Sequence, residues 1–230
     1  MKLKIFNFDT VIDVSNNIIS VVEIEDIRLF RKVIETLQFQ VKNQEGEEKI
    51  WIYDDEFDEI NFQKVDIISN YMDIFSNLKL FNQIFKVIDS NLDEEKEDAI
   101  RKINLYLNEF ATDLLYDIDI DLDFKETFNL KELLKIIKVR ITDDGSIVDN
   151  LFTLINFYSY IKIERILFFI NLKSYLNREE VLEFYRHVLA NNIKVILLEG
   201  RASDKLLENE QKMHIDSTFD DHYRLYSSDI

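Results

Sequence analysis

The segment with the most distinctive chemistry is an acidic ladder over residues 117–123, where every second residue is an aspartate. Its members are Asp117, Asp119, Asp121 and Asp123. In an extended chain this period places all the carboxylates on one side, where they repel unless a cation or a basic partner compensates them. Hard oxygen ligands suit Ca²⁺ or Mg²⁺. The ladder is therefore either a metal-binding segment or a solvated acidic strand whose apolar residues, Ile118, Ile120 and Leu122, face inward.

The ladder does not fit the EF-hand pattern, which needs a glycine at the sharp turn of the loop and a glutamate at its last position. Counting from Asp117 places Leu122 and Phe128 at those two positions. Counting from Asp121 places Glu126 where the glycine is required. Any calcium site here must have another geometry, and its candidate ligands are the acidic residues Asp119, Asp121, Asp123, Glu126 and Glu132.

A locally basic segment, residues 125–140, overlaps the end of this region. Its basic residues are Lys125, Lys131, Lys135, Lys138 and Arg140, which outnumber its two acidic residues to give a local charge of +3. Three of the lysines follow the spacing of one helix face, which indicates a stripe that contacts nucleic-acid phosphates. The alternative is the ordinary solvated face of an amphipathic helix. Lys162 and Arg165 precede a predicted strand and are candidates for extending this patch.

A third candidate is Glu199-Gly200-Arg201, which follows a predicted buried strand. Sites in α/β sheets collect at the carboxyl ends of strands, and an acidic residue there resembles the metal- or water-binding end of an ATPase strand. A phosphate loop needs several glycines close together, whereas Gly46, Gly145 and Gly200 are widely separated. The segment therefore indicates no ATPase activity, and a simple turn contact is the alternative.

Other catalytic arrangements find little support. The chain has no cysteine, which excludes disulfides, thiolate metal sites and cysteine nucleophiles. His187, His214 and His222 do not cluster at the spacing of metal ligands. We predict no catalytic residues and no enzymatic activity.

The composition is that of an acidic globular protein of 230 residues with a formal net charge of −17 and 47% hydrophobic residues. Such a charge argues against a broad nucleic-acid-binding face, because phosphate repels carboxylate. No signal-peptide core and no stretch of about 18 uncharged apolar residues is present. We expect a cytoplasmic protein without a membrane span.

The elements that must position these residues follow from hydrophobic periodicity and helix caps. Strands are predicted over residues 3–8, 18–24, 49–53, 165–170 and 193–198, with a possible short strand over 223–226. Helices are predicted after the caps Asp26, Asn129 and Asn177 and over residues 62–75, 80–88, 94–115 and 147–161. Between 94 and 115, a coiled-coil-like seam is formed by Ile100, Ile103, Leu107, Phe110 and Leu114. The strand–helix–strand unit from 165 to 198 predicts two parallel strands.

This order of elements predicts an α/β fold: a discontinuous α/β head, residues 1–60 plus 160–230, with an α-helical leg, residues 61–159, inserted between its halves. The chain contains no phosphate loop, because its glycines are widely separated.

The chain resembles the Csn-two family, the small adaptation protein of type II-A CRISPR systems. The resemblance lies in NLKELLKIIKVRI (129–141), FYSYIKIERILFFINLKSYLNREEV (157–181) and NNIKVILLEGR (191–201), with IISVVEIEDIRLFRKVIE (18–35) fitting the same pattern. Its specificity comes from the order and spacing of elements over roughly half of the chain. In many members the strand-end glutamate is followed by proline and arginine, whereas Gly200 stands in the proline's place here.

The resemblance implies an α/β head that looks like a degenerate ATPase without a phosphate loop and without nucleotide binding. It also implies a homotetrameric ring that encircles linear double-stranded DNA through basic residues, binds Ca²⁺ that orders its arms, and has no established catalytic activity. It implies a role in acquiring new spacers beside the CRISPR integrase and the effector nuclease. On this hypothesis the basic residues above contact DNA and the acidic residues near the ladder bind Ca²⁺. Two alternatives stay open: a metal-dependent nuclease that uses the ladder, and a DNA-independent scaffold that binds partner proteins.

Overall fold

The computed structural model describes residues 1–75, 78–142, 145–162, 164–203 and 205–226. The chain divides into two compact units. The first, which we call the head unit, comprises Met1–Ile74 and Asp143–Ile230. The second, Phe75–Thr142, we call the helical unit.

The head unit contains strands, α-helices and two short 3₁₀ turns. Its strands are β1 (Lys2–Ile5), β2 (Val11–Asp13), β3 (Ile19–Ile24), β4 (Ile50–Tyr53), β5 (Val65–Ile68), β6 (Ile166–Ile170), β7 (Lys194–Glu199), β8 (Glu210–Ile215) and β9 (Asp221–Leu225). Its helices are α1 (Ile27–Val41), α5 (Ile147–Ile161) and α6 (Arg178–Ala190), and its 3₁₀ turns are Phe62–Lys64 and Leu172–Ser174. The helical unit contains α2 (Leu78–Ser90), α3 (Glu94–Leu115) and α4 (Leu130–Ile136).

The centre of the head unit is a six-stranded sheet in the order β5-β6-β7-β3-β8-β9. All neighbouring strands are parallel except β8 and β9, which pair antiparallel. The predicted α/β fold is therefore confirmed, and so is the parallel pairing of β6 with β7. Such sheets are buried on both faces, which explains the nearly continuous apolar runs of β6 and β7.

The two faces of this sheet pack against different layers. On one face, alternate residues such as Val22, Phe168 and Leu198 join a core built from α1 and a three-stranded antiparallel sheet, β2-β1-β4. On the other face, Phe169 packs edge-on against Phe184 of α6, with ring centroids 5.2 Å apart. The alternation follows from the two-residue period of a strand.

The prediction of a helix over residues 62–75 is wrong. A 3₁₀ turn at Phe62–Lys64 leads into β5, which pairs in register with β6. The segment was misread because Asp66 interrupts the apolar pattern of this strand. Its carboxylate is buried, and Arg165 and the Tyr158 hydroxyl both donate hydrogen bonds to it.

The predicted domain boundaries at residues 60 and 160 also differ from the observed units. Strand β5 belongs to the central sheet, and α5 packs within the head unit against α6. The helical insertion is consequently shorter than the predicted span of 61–159.

Strand β8 was not predicted, because its sequence EQKMHI reads as polar. Glu210, Gln211 and Lys212 are nevertheless almost fully buried. Charged side chains of neighbouring segments neutralise the charges of β8, as described below, and this compensation cannot be read from local periodicity.

In the helical unit, the buried Asn104 of α3 holds the chain that leads into α4. Its amide nitrogen donates to the carbonyl oxygens of Ile100 at 3.1 Å and Phe128 at 3.0 Å, and its amide oxygen accepts from the Phe128 N–H at 2.7 Å. The seam predicted on α3 is largely open instead, since Phe110 and Leu114 expose 62% and 59% of their surface. Among the described residues, no helix is long and apolar enough to cross a membrane.

Candidate nucleic-acid interface

The acidic ladder lies in irregular chain between α3 and α4, where every member of the ladder is exposed. The expectation of an acidic strand with its apolar residues inside is wrong, because Ile120 exposes 69% of its surface and Leu122 exposes 49%. The segment makes no β-pairing in the described chain. The ladder therefore leaves both its carboxylates and its apolar side chains open to solvent.

The predicted calcium ligands are not gathered into a site. No group of three or more His, Asp or Glu side chains within the described ranges is placed to hold a metal ion. Glu132 is already engaged, since its Oε1 lies 2.5 Å from Lys125 Nζ and its Oε2 accepts from the Asn129 N–H at 3.0 Å. The Lys125 hydrogen bond is the main cause that lowers the pKa of Glu132. These residues do not form a preassembled calcium site in the single chain.

The basic segment is organised by the short helix α4. Its N-terminus has a capping box, in which the Asn129 side chain accepts from the Glu132 N–H and Glu132 bonds back to Asn129. This reciprocal pair satisfies two backbone donors and explains why the helix begins where the sequence predicted. Lys135 lies in the last turn and is exposed to solvent.

The predicted lysine stripe ends earlier than its spacing indicates. Helix α4 stops at Ile136, and Lys138 adopts a left-handed backbone conformation with φ of 54°. Lys138 is therefore not on the helix face of Lys131 and Lys135. It is nonetheless exposed, as is Arg140.

The five basic residues of the segment 125–140 fall into two groups. Lys125 pairs with Glu132, and Lys131 lies over the ring of Phe85 with its Nζ 5.6 Å from the ring centroid. The remaining three are exposed and form no ion pair within the part of the chain that the structure describes: Lys135, Lys138 and Arg140. These three are the cations of the segment 125–140 that are open to a phosphate.

Lys162 and Arg165 lie in the head unit and differ from each other. Lys162 is the exposed C-cap of α5, with φ of 51°. Arg165 is largely buried, and its guanidinium binds Asp66 and the carbonyl oxygen of Val65. The placement of Arg165 among DNA-binding residues is therefore not supported, because its charge is used inside the fold.

The connection from β3 to α1 leads directly into the N-terminus of a helix. Here it consists of Glu25 and Asp26, and the Asp26 carboxylate accepts from the N–H groups of Arg28 and Leu29, both at 2.9 Å. The Leu29 hydrogen bond is the main cause that lowers the pKa of Asp26. A helix N-terminus binds an anion through such free N–H groups, so a carboxylate of the chain itself replaces a phosphate there.

Behind this connection, one face of the sheet holds a buried ionic network. Lys212 Nζ lies 2.8 Å from Glu23 Oε1, and Lys173 Nζ lies 2.7 Å from Glu210 Oε1. Glu199 accepts from the Lys173 N–H at 3.1 Å. Burial is the main cause that raises the pKa of Glu199 to about 7. Three carboxyls thus face two ammonium groups, and a proton on Glu199 balances the set.

Gly200 follows Glu199 at a close approach of chain segments. Its N–H donates to Asn171 Oδ1 at 2.7 Å, and a Cβ at this position would lie 3.2 Å from the ring of Phe30. A proline here would lose the N–H donor. Gly200 therefore keeps a hydrogen bond, donated by its N–H to Asn171 Oδ1, that a proline at this position could not make.

Sequence reasoning missed the buried partners Asp66, Glu23, Lys212 and Glu210. A charged residue inside a β-branched run, as in VDII or ISVVEI, was the available signal, because such a charge needs a buried counter-charge.

Residues 43–219 match the family model described as CRISPR-associated protein (Cas_Csn2). A protein of Streptococcus agalactiae named CRISPR-associated protein Csn2 is 22% identical over 190 residues, covering 79% of this chain and 82% of that protein. An Enterococcus faecalis protein of the same name is 22% identical over 203 residues, covering 85% of this chain and 87% of that protein.

A solved structure shares the fold. The crystal structure of Stu0660 of Streptococcus thermophilus matches with a TM-score of 0.65 and 14% sequence identity, covering 98% of this chain and 76% of that chain.

Proposed function

Because the chain belongs to the Csn2 family of CRISPR-associated proteins, we propose that it is a non-catalytic protein that binds double-stranded DNA during the acquisition of new spacers. The observation that carries this proposal is the open group of Lys135, Lys138 and Arg140 in a chain with a net charge of −17. These three cations lie close together within residues 135–140 and form no ion pair in the described chain, so they are a local concentration of positive charge that fits phosphate. The CRISPR integrase and the effector nuclease of the same system are its proposed partners.

The proposed binding is independent of DNA sequence. Lysine and arginine contacts to phosphate position a protein on the duplex but read no base. Each phosphate neutralised releases counterions and contributes about 0.9 to the slope of log affinity against log salt concentration. The affinity of this protein for duplex DNA should therefore fall steeply with salt and vary little with sequence.

The proposed assembly is a homotetrameric ring around linear duplex DNA. One subunit offers too few open cations to outweigh its own carboxylates, whereas a ring gathers the basic groups of several subunits in one hole. The exposed apolar face of α3 supports self-association, because its large apolar side chains have no cover in the described chain: Ile103, Tyr106, Phe110 and Leu114.

The proposal includes a dependence of DNA binding on Ca²⁺. Four of the acidic candidates are exposed, whereas Glu132 is partly buried and paired with Lys125. Within the described ranges no three of them are placed to hold one metal ion. DNA binding measured with and without added Ca²⁺ tests whether the ion is required.

The direct test is fluorescence anisotropy with a labelled linear duplex over a salt series. Reversing the open cations together, as Lys135→Glu, Lys138→Glu and Arg140→Glu, should weaken binding at least tenfold and lower the salt slope by up to about 3 per subunit. The matched control reverses three exposed lysines of the head unit, Lys2, Lys42 and Lys205. Equal affinity of the wild type and the triple variant for duplex DNA would show that the basic segment does not contact DNA.

The same variant separates the alternative of a DNA-independent scaffold, which the exposed face of α3 also favours. A scaffold keeps its activity in spacer acquisition after the three cations are reversed, whereas a DNA-binding ring loses it. Acquisition of new spacers in cells that carry the triple variant distinguishes the two.

A further inference from the structure

The connection from β7 to β8 crosses the central sheet without a helix. Strands β7 and β8 lie on either side of β3 and are both parallel to it, so the chain between them must pass over β3. Parallel strands are usually joined by about a dozen or more residues that form a helix. Here the described residues of the connection, 200–203 and 205–209, contain no helix. We call these described residues the strap.

The strap covers a polar face of the sheet. Val22 of β3, Leu198 of β7 and Met213 of β8 point into the core that contains α1. The residues that alternate with them point to the opposite face, because a strand has a two-residue period. On that face these three strands carry a set of ionisable side chains: Glu23, Glu199, Glu210, Lys212 and His214.

Hydrogen bonds to these charged side chains attach the strap to the sheet. The Ser203 N–H donates to Glu23 Oε2 at 3.1 Å, and the Ser203 carbonyl oxygen accepts from Lys212 Nζ at 2.7 Å. The Leu207 N–H donates to Glu210 Oε2 at 3.1 Å. No residue of the strap is buried. The attachment of the strap therefore depends on the charges beneath it.

The strap is also loosely packed against the neighbouring helix. A cavity of about 410 Å³ is lined by Ser203 and Leu207 of the strap and by Leu176 and Val181 at the start of α6. Lys173 lines the same cavity and exposes 17% of its side chain. Water thus approaches the buried charges from this side, and the strap can leave the sheet without losing much apolar contact.

The charges beneath the strap balance only when one carboxyl group is protonated. Glu23, Glu199 and Glu210 supply three carboxyl groups, which face the two ammonium groups of Lys173 and Lys212. An uncompensated charge at a buried site is costly. A proton on Glu199 makes the set neutral.

The other titratable groups that face this set do not supply the balancing charge. His214 Nδ1 lies 3.6 Å from Glu23 Oε2, but its Nε2 lies 3.3 Å from Glu25 Oε1, so Glu25 compensates a proton on His214. Tyr71 and Tyr185 are within electrostatic reach of Glu199, and burial raises the pKa of both hydroxyls, so they stay neutral. The balance therefore depends on Glu199.

We propose that the strap is a proton-controlled cover, which stays closed while Glu199 holds a proton and opens more often once Glu199 ionises. Glu199 is the register partner of Glu23, whose carboxylate binds the strap, so the added negative charge arises beside a point of attachment. Opening admits water that hydrates this charge. The device is separate from the proposed DNA binding, since no cation of the segment 125–140 takes part in it.

The direction of the pH dependence follows from the release of this proton. Glu199 has a pKa of about 7 in the closed head unit, and hydration after opening returns this pKa toward its ordinary value of 4.5. Between these values the open state holds fewer protons than the closed state. Opening should therefore become more frequent as the pH rises from 4.5 to about 7, and level off above it.

Amide hydrogen exchange followed by NMR measures this opening. The N–H groups of Ser203 and Leu207 are freed when the strap leaves the sheet, so their protection factors report the opening equilibrium after correction for the chemical effect of pH. In the wild type both protection factors should fall at least tenfold between pH 5 and pH 8. In Glu199→Gln they should change less than about twofold, because glutamine holds the site neutral at every pH.

Two further variants separate the balance of charge from a local effect of the Glu199 replacement. Glu23→Gln still accepts from the Ser203 N–H and leaves two carboxyl groups facing two ammonium groups, so the strap should stay protected at pH 8. Glu208→Gln removes an exposed carboxylate of the strap itself and should keep the pH dependence of the wild type. Melting temperatures establish that each variant is folded.

A low concentration of urea separates opening of the strap from unfolding of the whole unit. Local opening exposes little surface, so exchange at Ser203 and Leu207 should not respond to about 1 M urea, whereas exchange of the β6 amides should accelerate. Equal protection of the strap at pH 5 and pH 8 overturns the proposal, as does an equal fall of protection in Glu199→Gln. Exchange of the strap that follows the β6 amides in urea overturns it as well.

Discussion

At the residue scale, Glu199 gives the head unit a defined dependence on pH. Its pKa of about 7 in the folded chain lies above the ordinary value of 4.5, so between these values the folded chain holds one more proton than the unfolded chain. The contribution of Glu199 to the free energy of unfolding is fully present below its ordinary pKa of 4.5 and is lost as the pH rises through its folded pKa of about 7. The loss amounts to about 3 kcal/mol between pH 5 and pH 8.

Glu199→Gln should remove this dependence, since glutamine carries no charge and still accepts from the Lys173 N–H. The free energy of unfolding in urea should exceed that of the wild type at pH 8 and equal it near pH 5. Glu208→Gln, at an exposed position of the same unit, serves as the control. Parallel pH profiles of the wild type and Glu199→Gln would show that Glu199 is ionised at neutral pH.

Arg165 is a second residue whose role can be separated by experiment. Arg165→Ala leaves the buried Asp66 carboxylate without a counter-charge and should destabilise the head unit by about 3–5 kcal/mol in urea unfolding. Lys162→Ala, an exposed neighbour, should change stability by less than about 0.5 kcal/mol.

The paired replacement Asp66→Asn with Arg165→Met removes both charges and should recover most of that loss. Its affinity for duplex DNA should equal that of the wild type, because Arg165 is committed to the fold. If the double variant folds but binds duplex DNA more weakly than the wild type, Arg165 contacts phosphate.

At the element scale, sequence patterns identified what hydrophobic burial alone determines. The apolar runs of β3, β6 and β7 and the cap of α6 all follow from local periodicity and were predicted correctly. Strands β5 and β8 were missed because Asp66 and Lys212 are neutralised by segments distant in the chain. The basic segment was found in the sequence, but the end of α4 at Ile136 decides which of its lysines are open.

The exposed face of α3 is expected to mediate self-association, which mutation of this face tests. Phe110→Ser combined with Leu114→Ser changes only exposed positions, so the free energy of unfolding should move by less than about 1 kcal/mol. Self-association, measured by light scattering, should weaken at least tenfold if this face packs against another subunit.

Asn104→Ala is the matched comparison for the same helix. It removes three hydrogen bonds behind the face and leaves the face itself unchanged. This variant should lose about 1–3 kcal/mol of stability, because it leaves the partly buried Phe128 N–H and carbonyl oxygen without their Asn104 partners. If Phe110→Ser with Leu114→Ser dissociates the assembly and Asn104→Ala does not, the exposed face of α3 mediates association. If the mass of the double-serine variant is unchanged, this face does not mediate association.

At the scale of the whole molecule, the net charge of −17 restricts how DNA can be bound. The chain carries 28 Lys and Arg against 45 Asp and Glu, so carboxylates outnumber cations on its surface. An open binding face would bring these carboxylates near phosphate, whereas an enclosed hole presents only the basic groups that line it. The charge therefore favours encirclement over lateral binding.

Encirclement predicts a dependence on DNA ends. A closed ring reaches duplex DNA by threading over an end, so unlabelled linear DNA should compete with a labelled linear duplex, and closed circular DNA of the same sequence should compete at least tenfold less well. Cutting the circle once should restore full competition, because charge and sequence are unchanged. Light scattering of the same sample should give a mass near four times 27.6 kDa. Equal competition by the closed circle would show that DNA enters from the side, and the basic residues would then have to form an open face.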